Sequence, residues 1–194
     1  MIYFPSFAFM NSVMFESQKY TDFAEYKLQK PKMTEKEREI FLNHFTNNSG
    51  FPVGENKSLI AFAIMGGIFG EGIDLIGDKL IGCMIVTVGL PFLGGENELI
   101  KNYYDEAMHK GFEYAYRYPG FNKVMQAAGR VIRSETDKGI VVLIDHRYGK
   151  IEYKEIGDAV EAESLDREMA SSLTWCAVAV GVSLLWGLVM VARV

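Results

Sequence analysis

Residues 126–145 read QAAGRVIRSETDKGIVVLID: a small-residue helical stretch with two arginines, a polar turn, then a glycine opening an apolar run that stops at Asp145. A short β-branched run bounded in this way has the length and composition of a strand buried on both faces. The signature recurs upstream as LIAFAIM at residues 59–65 and as LIGCMIVTVGL at 80–90, where Pro91 stops it. Helical patterns separate these runs. Continuous apolar strands alternating with helices predict an α/β fold with a parallel sheet covered by helices on both faces.

Further elements follow from local signals. IYF at residues 2–4 reads as a short strand ending at Pro5, and Ser6 as the N-cap of a helix from Phe7 to about Tyr20 with Phe9, Val13 and Met14 on one side. The polar stretch QKYTDFAEYKLQKPKM reads as a break closed by Pro31. Thr34 and Glu37 have the spacing of a capping box, opening a helix that runs to about Phe45. Residues 97–118 read as helical and rich in tyrosine, and a further helix is expected from about Asn122 to Ser134.

On that last helix a spacing of 3.6 residues places Gln126, Arg130, Arg133 and Asp137 on one face, beside Gly129. Val124, Ala128, Val131 and Ile132 form the face that packs on the sheet. Arg130 has Gln126 and Ser134 four residues away, and neither is acidic. An isolated Arg-x-x-Arg is more often a solvated basic face. Here the pair sits with a glutamine, next to a glycine, just before a buried strand, and guanidinium forks in that setting suit a phosphate supplied from outside.

Composition narrows the field. With 194 residues, 49% of them hydrophobic, the chain can bury a core. The net charge of -5 is unevenly spread: residues 1–150 hold 17 Lys/Arg against 18 Asp/Glu, and residues 151–194 hold 3 against 7. The body is thus close to neutral and the acidic excess belongs to the tail. Cys83 and Cys176 each lie in apolar runs, which fits a reduced compartment. His44, His109 and His146 have no ligand spacing, so no metal site is expected. The apolar N-terminus lacks the positive flank of a signal peptide.

Three segments, in order, resemble a known family. Gln-x-x-Gly-Arg-x-Ile-Arg with the following SETDKGIVVLIDHR resembles motif VI of superfamily 2 helicases, most closely the DinG/XPD branch. GGIFGEGIDLIGDKLIGCMIV at 66–86 resembles motif V, and IYFPSF at 2–7 resembles motif IV. The resemblance implies a second RecA-like motor domain over residues 1–152, supplying one wall of an ATP–Mg²⁺ site whose other wall is the first motor domain, in cis or in trans. It implies that Arg130 and Arg133 reach the γ-phosphate, that Gln126 and Gly129 line the phosphate end, and that Glu71 and Asp74 shape the motif V loop. Ser6, Gly70 and Gly72 would meet single-stranded DNA, with Ser6 equally suited to capping its helix. Asp145 and Arg147 read as a structural pair. Tyr103, Tyr104, Tyr114, Tyr116 and Tyr118 read as helix packing, with base stacking the alternative.

The sequence contains no GxxxxGK[ST] and no acidic box, and the cysteines of the family's iron–sulfur cluster have no counterpart. The chain is therefore expected to be the C-terminal half of an ATP-dependent DNA helicase, inactive by itself. The alternative is a non-catalytic nucleic-acid-binding or regulatory module. Residues 153–194 form an acidic and then hydrophobic helical tail, uncharged from Met169 to Ala192. That length would cross a bilayer. A cytoplasmic protein is expected, anchored at a membrane if the tail spans one; a partner helix or a shifted reading frame would produce the same pattern.

Overall fold

In the computed structural model, the described residues are 1–17, 19, 24–46, 58–71, 73, 75, 79–131, 139–150 and 152–153, with the backbone of 174–179 and 188–193. Strands are β1 (Ile2–Phe4), β2 (Ala24–Leu28), β3 (Ser58–Ile64), β4 (Gly82–Val86), β5 (Ile140–Ile144), β6 (Thr174–Ala179) and β7 (Leu188–Arg193). Helices are α1 (Phe7–Ser17), α2 (Glu35–Thr46), α3 (Ile68–Glu71), α4 (Glu96–Met108) and α5 (Tyr118–Ala128). A π-helical turn, Glu113–Arg117, leads into α5.

The sheet order is β2-β3-β1-β4-β5-β7-β6. The first five strands are parallel throughout, as the continuous apolar runs require. Ile2 lies between Phe62 and Met84 in register, so β1 is a central strand despite its three residues. Alternate side chains divide the core. Tyr3, Ala61, Ala63, Cys83, Ile85, Val141 and Leu143 pack against Phe41 and Phe45 of α2, Phe69 of α3 and the buried stripe of α5. Phe4 and Phe62 face the other way, onto Met10 of α1. Burial pushes the Cys83 thiol up to about 12, which keeps it protonated.

Coverage of the two faces is unequal. On the α1 side the helix meets β1 and β3, while Met84 on β4 and Ile140 on β5 stay 41% and 50% exposed. Helices thus flank the parallel sheet on both faces, as expected, with the α1 face less fully covered at β4 and β5.

Local signals account for most boundaries. Ser6 Oγ accepts from Phe9 N at 3.2 Å and caps α1. Thr34 and Glu37 form the reciprocal box: Glu37 Oε2 accepts from Thr34 N at 2.8 Å, and Thr34 Oγ1 accepts from Glu37 N at 3.4 Å. The edge strand β2 lies where the sequence reads as a polar break. Its alternation of Glu25 and Lys27 with Tyr26 and Leu28 is that of a half-covered edge. The tail, expected as a hydrophobic helix, is described in two pieces, and both are strands: β7 pairs antiparallel with β5, and β6 with β7. Alternating valines suit an extended backbone as well as a helix, and the outer edge of β5 offers them partners. The remainder of that expectation lies outside the described residues. No helix among the described residues is long and apolar enough to cross a membrane.

One close approach fixes α5. Gly89 has φ +68°, and a Cβ there would stand 2.6 Å from Gly120 O and 2.9 Å from Met65 Sδ. Gly89→Ala should therefore both strain the backbone and push α5 away from β4. The expected loss is about 1–3 kcal/mol, read as a lower midpoint in urea unfolding. An unchanged midpoint would show that the contact is not tight.

Candidate functional site

The polar face of α5 is placed by its apolar one. Pro119 sits in the first turn, where its missing N–H costs nothing, and the helix begins at Tyr118 rather than near Asn122. Phe121, Val124, Ala127 and Ala128 are buried against the sheet, leaving Lys123, Gln126 and Gly129 turned outward. Regular α-helix stops at Ala128, not at Ser134. Gly129 N still donates to Met125 O at 2.8 Å, but Arg130 N donates to Ala127 O and Val131 N to Ala128 O, a tightened turn. A uniform 3.6-residue stripe thus does not continue through Arg130, because buried Val131 must reach Gly139 at the start of the next strand. Ile132, Arg133, Ser134 and Asp137 lie outside the described residues.

Arg130 is half-buried, and its fork is engaged. Nε donates to Gly70 O at 3.2 Å and Nη1 to Ile73 O at 3.2 Å. The guanidinium therefore bridges two carbonyls of the glycine-rich segment, residues 66–73, and ties the end of α5 to it. Backbone carbonyls carry a partial negative charge that suits a guanidinium.

The glycine segment is fastened at several other points. Tyr3 OH donates to Phe69 O at 3.0 Å from within the core, and the Phe69 ring stacks on Phe41 at 4.3 Å. At its root, the buried Gln29 accepts from Ile64 N through Oε1 at 2.8 Å. Gly67 is needed there, since a Cβ would meet Ile64 O at 3.0 Å. Of the residues singled out in this segment, Gly70 is buried and supplies a carbonyl to Arg130, and Glu71 closes α3. Gly72 and Asp74 lie outside the described residues. Ser6 is exposed at the end of β1 and acts as a cap; Gln126 and Gly129 are exposed on α5.

A second polar cluster closes the far side of the sheet's carboxyl edge. Arg147 donates from Nη2 to Asp145 Oδ2 at 2.7 Å and from Nε to Asp145 Oδ1 at 2.9 Å, the structural pair expected. Arg147 Nη2 also reaches Thr87 Oγ1 at 3.3 Å, and Tyr148 OH donates to Thr87 O at 2.7 Å. Thr87 has φ +115°, a region β-branched residues avoid, so these contacts hold the backbone where β4 turns away. Nothing in the local sequence signals that role; a threonine before Val-Gly reads as the end of a strand.

The tyrosines mostly pack. Tyr104 and Tyr114 stack at 4.2 Å, Tyr118 meets Tyr114 edge-on at 5.3 Å, and buried Tyr116 donates to Glu98. Tyr103 alone among them is largely exposed, at 66%. Among the described residues no group of His, Cys, Asp and Glu is disposed to hold a metal ion.

Burial raises the Asp145 carboxyl, but the hydrogen bonds and charge of Arg147 outweigh it and leave the pKa below the usual value. A depressed folded-state pKa contributes stability above the unfolded value. That contribution is lost as pH falls below about 4, through the folded value. Asp145→Asn should remove this part of the acid limb and cost about 1–3 kcal/mol near neutrality. Urea unfolding as a function of pH checks it; parallel curves for the two proteins would rule the latch out.

Comparisons with known proteins converge on one family. The helicase C-terminal domain family matches residues 1–158. The regulator of telomere elongation helicase 1 homologs of Culex quinquefasciatus and Drosophila melanogaster are each 26% identical over 157 residues, covering 76% of this chain and 16% of their own. The chain thus spans about one sixth of the length of the curated relatives it matches. A solved XPD helicase superposes with a TM-score of 0.58 at 20% identity, over 82% of this chain and 27% of that one. An apo XPD structure gives 0.56 at 20% identity, over 81% and 30%. These structural likenesses establish a RecA-like fold.

Proposed function

The chain belongs to the helicase C-terminal domain family, and we propose that it works as the second motor domain of an ATP-dependent DNA helicase. In this reading residues 1–152 are the motor unit and 153–194 an appendage. Arg130 and Arg133 meet the terminal phosphate of ATP at the boundary with a first motor domain, while Gln126 and Gly129 border it. Glu71 and Asp74 shape the glycine loop, and Ser6, Gly70 and Gly72 lie on the side of single-stranded DNA. Magnesium-bound ATP supplies the transferable phosphoryl group when bound.

The observation that supports this reading is the Arg130 bridge to Gly70 O and Ile73 O. It joins the helix that resembles the phosphate-sensing motif to the loop that resembles the DNA-gripping one. A phosphate oxygen is a stronger acceptor than a carbonyl, because hydrogen bonds between charged partners are about twice as strong as neutral ones. An arriving phosphate would compete for the Arg130 fork and release the two carbonyls. The glycine segment would then be held by Tyr3 and Gln29 but freed at its Gly70 end. Occupancy of the boundary is thereby converted into a change in the loop. The fork fits a phosphate well, whereas nothing among the described residues suits the metal, which falls to the opposite wall.

The test is reconstitution. The chain alone should show no ATPase activity, and mixing it with a matching first motor domain should restore DNA-stimulated hydrolysis. Arg133→Ala should then lower the rate by about 10³-fold or more. Hydrolysis by the isolated chain, abolished by Arg130→Ala, would overturn the half-site reading. Oligonucleotide binding without any ATPase in the mixture would instead identify a non-catalytic nucleic-acid-binding module.

A further inference from the structure

Lys123 stands on the outward face of α5, seven residues before Arg130, and no sequence signal singles it out. Its side chain lies over Gly66. The site where a Gly66 Cβ would be is 3.3 Å from Lys123 Cδ, 3.5 Å from Cε and 3.8 Å from Nζ. Gly66 is also held at φ +67°, so the turn leaving β3 is built to let this stem lie flat against it. Lys123 is half-buried, and among the described residues its ammonium has no acidic partner and no hydrogen bond. Lys101, further back along the chain, is by contrast matched by Glu98 and Asp105.

The place matters as much as the missing partner. Met65 N donates to Phe4 O at 2.9 Å, which fastens the residue before Gly66 to the end of β1. Ser6 follows two residues after Phe4. Lys123, the Gly66 turn and Ser6 therefore share the carboxyl edge of two neighbouring strands, where open α/β sheets receive ligands. Arg130 lies about 10 Å further along the helix, at 1.5 Å per residue.

We propose that Lys123 is a phosphate-backbone contact of the single-stranded nucleic-acid surface, at the opposite end of the glycine segment from Arg130. The proposal rests on the helicase reading above and extends it. The segment is then bracketed by two cations, one on α5 and one in the turn that ends it: Arg130 senses the nucleotide boundary and Lys123 the strand. A lysine that contacts phosphate supplies affinity without base preference and releases condensed counterions on binding.

The full chain would be titrated into fluorescein-labelled single-stranded oligothymidylate at a series of salt concentrations, following anisotropy. Lys123→Met keeps the stem over Gly66 and removes only the charge; Lys123→Arg keeps the charge. The methionine variant should bind more weakly, with its slope of log K against log salt shallower by about 0.7. The arginine variant should keep the parent slope, and both should unfold at the parent temperature. Equal slopes for parent and Lys123→Met would overturn the Lys123 assignment alone, leaving a stem that merely packs with its head in water. A loss of ATP-analogue affinity in Lys123→Met with the slope unchanged would overturn it in favour of a nucleotide contact. No oligonucleotide binding by the parent chain would overturn both this proposal and the DNA-binding part of the function.

Discussion

The meeting of two glycines governs the geometry of the site. Added Cβ atoms at Gly89 and Gly120 would stand 2.6 Å from Gly120 O and 2.8 Å from Val88 O respectively, so each backbone occupies the space a side chain would need in the other. This sets the start of α5 against the end of β4. From there the helix has no freedom, because Phe121, Val124, Ala127 and Val131 must stay in the core. The positions of Lys123, Gln126 and Arg130 are consequences. The far end is pinned as well: a Cβ at Gly139 would stand 2.2 Å from Val131 Cγ1, so the next strand begins directly beneath the helix terminus. The backbone of that polar face is held between two such contacts, so what remains adjustable there is side-chain partnership, as at the engaged Arg130 fork.

How legible this was in the sequence depended on whether the controlling interaction was periodic or particular. Strands β3, β4 and β5 announce themselves as apolar runs, since burial on both faces leaves no room for alternation. The caps at Ser6 and Thr34 are equally plain, because a cap uses a specific side chain at a specific offset. The edge strand β2 was not, as AEYKL has the composition of a polar linker and is extended only because β3 offers it a ladder. The helix end departs from the spacing for a similar reason. Spacing at 3.6 residues carries Gln126 to Arg133 smoothly, but Val131 has to drop into the core beside Gly139, and that packing tightens the turn.

The site shows the same division. That Arg130 wanted an acceptor was legible from the absence of acidic neighbours; that the acceptors were Gly70 O and Ile73 O was not, because every residue offers a carbonyl. Thr87 and Gln29 were invisible, the first because φ +115° is imposed by Tyr148 and Arg147 from another strand end, the second because its partner Ile64 is 35 positions away. The roles expected of Arg133, Gly72 and Asp74 fall outside the described residues.

A motor domain must do two things with one segment: report on a nucleotide and hold a strand. Under the proposed function residues 66–73 would serve both, because their attachments differ in kind. Tyr3 holds the segment at Phe69 O from within the core, and Gln29 fixes its root at Ile64 N, the last residue of β3. The Arg130 bridge to Gly70 O and Ile73 O involves a half-buried guanidinium, and a phosphate is a stronger acceptor than either carbonyl. A loop rigid at its root and exchangeable at one end moves by a hinge rather than by melting. At the root of the segment Gly66, with its positive φ and missing Cβ, lies under the Lys123 stem. Nucleotide sensing at one end and strand contact at the other would then be coupled through a few residues of backbone, with no need for a longer path through the core.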